Sequence, residues 1–169
     1  MSLMNLLVRG TVVLGNAAKK MQALQMRLLA GEVKDNLEHF EPYGFTSHPH
    51  AGAEGITAFL GGDRSHGVVL VVADRRYRIQ AMAEGEVAVF SDEGDKVHLK
   101  RGRVIDIETR TLNIRADVAV NFDTPLITQT GRIVSDGDQI AAGVSQVEHP
   151  HSEVMPGPGQ SGPPVGGAG

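Results

Sequence analysis

The sequence predicts an all-β chain, and three features carry that prediction. Between Leu112 and Phe122 the even positions are Leu, Ile, Ala, Val, Val and Phe, while Asn113, Arg115, Asp117 and Asn121 fill four of the five odd ones. That period of two sets one apolar row on one face of a strand. Short apolar runs recur on either side, and no segment from about Glu86 to Val147 carries the 3.6-residue stripe of an amphipathic helix. Aromatics are only 4% of residues and Trp is absent, so the interior falls to Val, Ile, Leu and Ala.

Taken in order, Val8 to Leu14 reads as a strand. Lys19 to Val33 is ambiguous: its Met, Gln, Ala, Leu and Arg residues favour helix by propensity, yet their positions mark no clean face. Gly61-Gly62-Asp63 is a hairpin turn ahead of the strand Val68 to Ala73. Val97 and Leu99, then Ile105 and Ile107, give short strands on odd parity. The change to even parity at Leu112 requires a corner or bulge near Thr109 to Thr111. Leu126 to Thr130, Ile133-Val134 and Ile140 follow, separated by Gly131, Asp136-Gly137-Asp138 and Gly143.

Strands with one apolar row and open edges need a partner or a cover. Half of an ordinary β-sandwich meets that need within one chain and is the commoner solution. Three intertwined copies forming a β-helical prism meet it between chains. The alternation alone leaves both open.

Composition excludes several classes. The 169 residues make one domain or two small ones. A formal charge of −4 and a pI near 5.9 give no global attraction to nucleic acid or anionic lipid. With no Cys there are no disulfides and no thiolate metal sites. Val68 to Ala73, the longest strongly apolar run, is far too short to span a bilayer. Met1 to Leu14 lacks a secretory signal pattern, so export by the general route is not expected.

His149-Pro150-His151 stands ahead of a tail rich in Gly and Pro. In an extended strand, residues i and i+2 face the same way, so the two imidazoles would stand side by side. Two are too few for a transition metal, but two from each of three chains supply six nitrogens. Six favour an octahedral ion over tetrahedral zinc. Pro150 stiffens the tripeptide and is tolerated at a strand end. Without further support, a metal-free surface pair is the commoner meaning of such a motif.

Several longer words narrow the choice. Tyr43-Gly44-Phe45-Thr46-Ser47-His48-Pro49, Phe59 to Gly67, Asp74-Arg75-Arg76-Tyr77-Arg78, and Gly85 to Asp95 leading into Gly102-Arg103-Val104-Ile105 resemble the Mu-type phage baseplate central spike family, the baseplate assembly protein V family. The likeness runs from about Leu6 to about Thr109 and resumes at the terminal His-x-His. It implies an N-terminal OB-type barrel over residues 1–84, with Lys19 to Val33 supplying a barrel strand. An intertwined trimeric β-helix shaft over residues 85–148 would follow, tapering to a metal-capped apex and tail over residues 149–169.

The resemblance also implies a homotrimer below the hub protein of a contractile tail baseplate, assembled in the host cytoplasm and driven through the host outer membrane when the sheath contracts. One iron ion per trimer would be held by His149 and His151 of the three chains. No enzyme activity and no nucleic-acid partner are expected. The alternative function is a trimeric OB-type module that binds oligosaccharide or nucleic acid.

Three other motifs are read structurally. His48-Pro49-His50 repeats the tripeptide but falls in a barrel loop. Asp74-Arg75-Arg76-Tyr77-Arg78 is a solvated turn or an inter-chain ion pair. Asp63, Ser65 and His66 have the residue types of a hydrolase triad but are too close in sequence for its geometry, and no Gly-x-Ser-x-Gly elbow occurs.

Overall fold

The computed structural model describes residues 6–149 and Gly157; Pro150 and His151 lie outside the described residues. Ten strands are present: β1 (Leu7–Asn16), β2 (Ala23–Arg27), β3 (Val33–His39), β4 (Glu54–Phe59), β5 (Gly67–Ala73), β6 (Val87–Phe90), β7 (Lys96–Lys100), β8 (Val104–Glu108), β9 (Ile140–Ala141) and β10 (Val144–Ser145). Apart from the 3-10 turns Leu29–Gly31 and Leu60–Gly62, no helix occurs among the described residues. The residues up to Ile114 form one unit and those from Arg115 a second.

In the first unit, β1 to β5 close into a barrel in the order β1-β2-β3-β5-β4. All pairs are antiparallel except β3 with β5. Closure requires the strands to bend, and register shifts between Val12 and Leu14 and between Ile56 and Thr57 provide local bulges. Val8 and Val12 of β1 point inward. Between them Gly10 lets β2 approach, because a Cβ there would lie 2.6 Å from the Arg27 carbonyl oxygen. Phe59, Leu24, Met26 and Val69 are fully buried at the centre.

The ambiguous segment is therefore a barrel strand. Ala23, Leu24 and Met26 bury their side chains while Arg27 stays exposed. Helix propensity differs among such residues by less than 1 kcal/mol each, whereas burying Leu24 and Met26 contributes about 1.5–3 kcal/mol apiece. Packing wins. The strand expected over Val68 to Ala73 is β5, and Gly61-Gly62-Asp63 lies in the connection from its antiparallel neighbour β4.

β6, β7 and β8 form a three-stranded meander in the same unit. Its ladder ends at Glu108, and Arg110 lies in a bend at the place where sequence parity requires a corner. The second unit differs from expectation. Neither Leu112–Phe122, Leu126–Thr130 nor Ile133–Val134 forms a hydrogen-bonded strand in the described chain, and only the β9–β10 hairpin does so. Alternation fixes which face is apolar, but a strand needs a neighbour, and none lies alongside among the described residues.

The barrel core generates a direct test. Phe59→Ala removes its largest fully buried side chain and is expected to cost about 3–5 kcal/mol. Urea unfolding monitored by circular dichroism measures this. A loss below 1 kcal/mol would show that Phe59 is not central to the core.

Candidate functional site

The meander presents an exposed apolar face. In the meander, Val87 lies opposite Leu99 and Leu99 opposite Ile105; Val89 lies opposite Val97 and Val97 opposite Ile107. Six aliphatic residues thus share one sheet face, and each remains between 38% and 63% exposed. The other face is mixed: Phe90 and Val104 are exposed there beside charged side chains. His98 is buried there, 3.1 Å from the Glu86 carboxylate, and the ion pairs Lys96–Glu108 and Lys100–Asp106 lie at 2.7 Å each.

Exposed ion pairs of this kind contribute about 0–1 kcal/mol. Fully burying one Val, Leu or Ile contributes about 1.5–3 kcal/mol. The larger unburied apolar area of the meander therefore lies on the six-residue face. Beyond the corner the row continues as Leu112, Ile114, Val118, Val120 and Phe122, all exposed, with Val118 at 96%. Leu126, Ile127, Ile133, Val134, Ile140, Val144 and Val147 are exposed as well. A monomer rarely shows so much contiguous apolar chain to water.

The hairpin that precedes His149 is built by local polar chemistry. Ala142 and Gly143 both take positive φ, 50° and 80°, as a two-residue hairpin loop requires. Asp138 accepts the backbone amides of Gln146 at 3.0 Å and Val147 at 3.1 Å. The Ser145 hydroxyl, followed by the amides of Val147, Gln146 and Gln139, holds the Asp138 carboxyl below its ordinary value against the opposing effect of burial. Ser145 Oγ also accepts the amides of Val147 at 3.1 Å and Glu148 at 2.7 Å.

His149 completes the turn. Its Nδ1 lies 2.8 Å from the Ser145 carbonyl oxygen. A carbonyl only accepts, so Nδ1 carries the proton and the ring's lone pair is on Nε2. The same arrangement orients metal-ligating histidines. Of the two expected ligands, His149 closes this hairpin and His151 falls outside the described residues. Among the described residues no cluster of three or more His, Asp or Glu is placed to hold a metal.

The remaining motifs fall where structural readings put them. Asp63 accepts both the amide and the hydroxyl of Ser65 at 2.8 Å, so its carboxylate shapes a turn rather than orienting His66. Arg75 pairs with Glu54, and Arg76 with Asp74 at 2.5 Å, which makes the arginine run a turn with intra-chain ion pairs. His50 sits in the β3–β4 loop with Nε2 2.9 Å from Asp92, a link from barrel to meander that sequence reading missed. Forty-two positions separate the two residues, and no local pattern joins them.

Comparison with known proteins gives a consistent result. Residues 9–76 match the family model described as "Bacteriophage Mu Gp45, N-terminal", a span that covers nearly the whole barrel. The chain is 38% identical over 129 residues to the "Baseplate puncturing device gp45" of Escherichia phage Mu, covering 76% of this chain and 65% of that protein. It is 36% identical over 160 residues to the "Mu-like prophage FluMu protein gp45" of Haemophilus influenzae, covering 88% of this chain and 87% of that protein.

The hairpin generates a pH prediction. A depressed carboxyl contributes fully above its ordinary pKa, and that contribution is lost as pH falls through the lowered one. By NMR, the amide protons of Gln146 and Val147 should titrate together at a pH below the ordinary aspartate value, and should stop titrating in Asp138→Asn. Continued titration in that variant would assign the effect to another group.

Proposed function

We propose that this chain, which belongs to the phage Mu Gp45 family, serves in a phage or phage-like tail baseplate as the central spike that punctures the host envelope. The printed name of the phage Mu relative, a baseplate puncturing device, supports that role and location. The finer reading is a homotrimer seated below the hub protein and pushed through the outer membrane on sheath contraction.

One observation carries the trimer: the row from Leu112 to Phe122 alternates like a strand, is exposed, and has no ladder partner among the described residues. Pairing with two other copies would satisfy its backbone and bury its face in one step. An all-β shaft made this way bears load through hydrogen bonds and apolar contacts between chains. The role is mechanical, in keeping with the turn that occupies Asp63, Ser65 and His66.

At the tip, His149 and His151 of three chains would hold one iron ion. The tautomer imposed on His149 by Ser145 supports this, since it leaves Nε2 as the donor atom. Bound there, the ion would join three chain ends and add its binding free energy to trimer stability. The other reading, a barrel that binds oligosaccharide or nucleic acid, is disfavoured by the net charge of −4 and by the scarcity of aromatic platforms.

Two measurements test this. Light scattering on the purified full chain should give the mass of three chains; a stable monomer would sink the spike reading. Elemental analysis should find about one iron per three chains, lost on joint substitution His149→Ala and His151→Ala. Iron retained in that variant would place the metal elsewhere.

A further inference from the structure

Independently of the assembly, we infer that the barrel carries an acid-operated seam: a proton taken up at His39 parts β3 from β5. The other four seams of the barrel are antiparallel and more extensive. β4 and β5, for example, stay in register from Glu54 opposite Ala73 to Phe59 opposite Gly67. β3 and β5 meet in parallel, and only Glu38 opposite Val68 and His39 opposite Val69 are aligned. The Phe40 amide, donating to the Val69 carbonyl at 3.0 Å, adds one bond beyond the end of β3. Parallel pairing is slightly weaker per residue than antiparallel, so this short seam is the line along which the barrel opens most readily.

His39 sits in that seam with its side chain inside the barrel. Its neighbours across the strands are Gln22, whose carbonyl accepts the His39 amide at 2.8 Å, and Val69, which in turn lies opposite Thr57. Directly opposed residues share a face, so Gln22, His39, Val69 and Thr57 form one inward row, and all four are buried. Nδ1 of His39, Oε1 of Gln22 and Oγ1 of Thr57 each lie buried without a hydrogen-bond partner among the described residues. A buried polar group left unpaired costs about 1–3 kcal/mol. Protonation adds a second ring N–H and a full charge at the same place, and a charge costs far more to bury than a neutral ring.

The surroundings favour the neutral ring. Gln22 ahead of β2, Val69 of β5 and Thr57 of β4 do not titrate. The charged group that acts on His39 is Glu41, two residues further on, whose carboxylate already accepts the Thr46 hydroxyl at 2.9 Å and the Ser47 amide at 2.6 Å. Burial holds the His39 ring below its ordinary value, and the attraction of Glu41 opposes this without reversing it. Above the ordinary histidine value of about 6.5, the closed and parted forms are both neutral and the seam has its full strength. As pH falls from there towards the lowered value, the hydrated ring of the parted form takes the proton first. The closing equilibrium then weakens by up to about tenfold per pH unit. β3 stays held to β2, from Ala23 opposite Glu38 to Arg27 opposite Val33, so the change is local. It leaves β3 and β5 with open edges, the form in which a sheet accepts an added strand.

Hydrogen exchange on the full chain, corrected for the intrinsic effect of pH, tests this between about pH 7.5 and about pH 5.5. Protection of the Phe40 amide should fall in acid while that of β1 is kept. In His39→Gln, neutral at every pH, the Phe40 amide should be equally protected at both. Unchanged protection in the unaltered chain, a fall spread evenly over the barrel, or the same fall in His39→Gln would overturn the seam. A second measurement keeps the histidine and does not depend on that variant folding. The chain has no Cys, so Val69→Cys places a single thiol in the closed seam. Its reaction with a pyridyl disulfide, which proceeds in acid, is compared with that of the same thiol in denaturant. The ratio should rise by up to about tenfold between about pH 6.5 and about pH 5.5, while that of Val12→Cys, buried in β1, stays constant. Two thiols that respond alike would overturn the proposal and assign the acid effect to the barrel as a whole.

Discussion

An extended backbone directs its donors and acceptors sideways, and nearly everything in this protein follows from where those groups find partners. Up to Glu108 they find them within the chain, first by closing a five-stranded barrel and then in a three-stranded meander. From Leu112 to Phe122 the apolar alternation is clear but no ladder neighbour is present among the described residues, and only the β9–β10 hairpin pairs within the chain beyond that point.

Glycine placement makes the barrel half possible. Gly10 permits the contact of β1 with the Arg27 backbone, and the bulges at Val12 and Ile56 bend the strands enough to close without an edge. Closure in turn fixes which loops share an end. Loops from distant parts of the sequence, around His50, Tyr77 and Asp92, are brought together there, with His50 and Tyr77 ring centroids 5.6 Å apart. The His50–Asp92 hydrogen bond thereby links the barrel to the meander, with Tyr77 packed beside the histidine.

Much of this was legible in the residues and some was not. Apolar runs identified β1 and β5, period-two spacing identified β7 and β8, and parity located the bend at Arg110. It could not say that Leu112 to Phe122 lacks a ladder, because alternation describes a strand's faces and is silent about its edges. Lys19 to Val33 stayed ambiguous because Gln22 interrupts the row of Leu24, Met26 and Leu28 while Ala23 and Leu29 interrupt the polar row of Gln25 and Arg27, and only burial decides. His149 was legible as a candidate ligand. The Ser145 carbonyl that sets its tautomer was not, since that contact needs the positive φ of Ala142 and Gly143 to turn the chain back.

Glu86 stands where the chain leaves the barrel for the meander. Its carboxylate accepts the amide of Ala83 at 3.1 Å and that of Arg101 at 3.1 Å, and meets His98 at 3.1 Å. One side chain thus ties the incoming linker, the middle strand and the following turn to a single point. Protonating that carboxyl would weaken all three attachments at once, so the way the linker enters the meander is set by a single acceptor group.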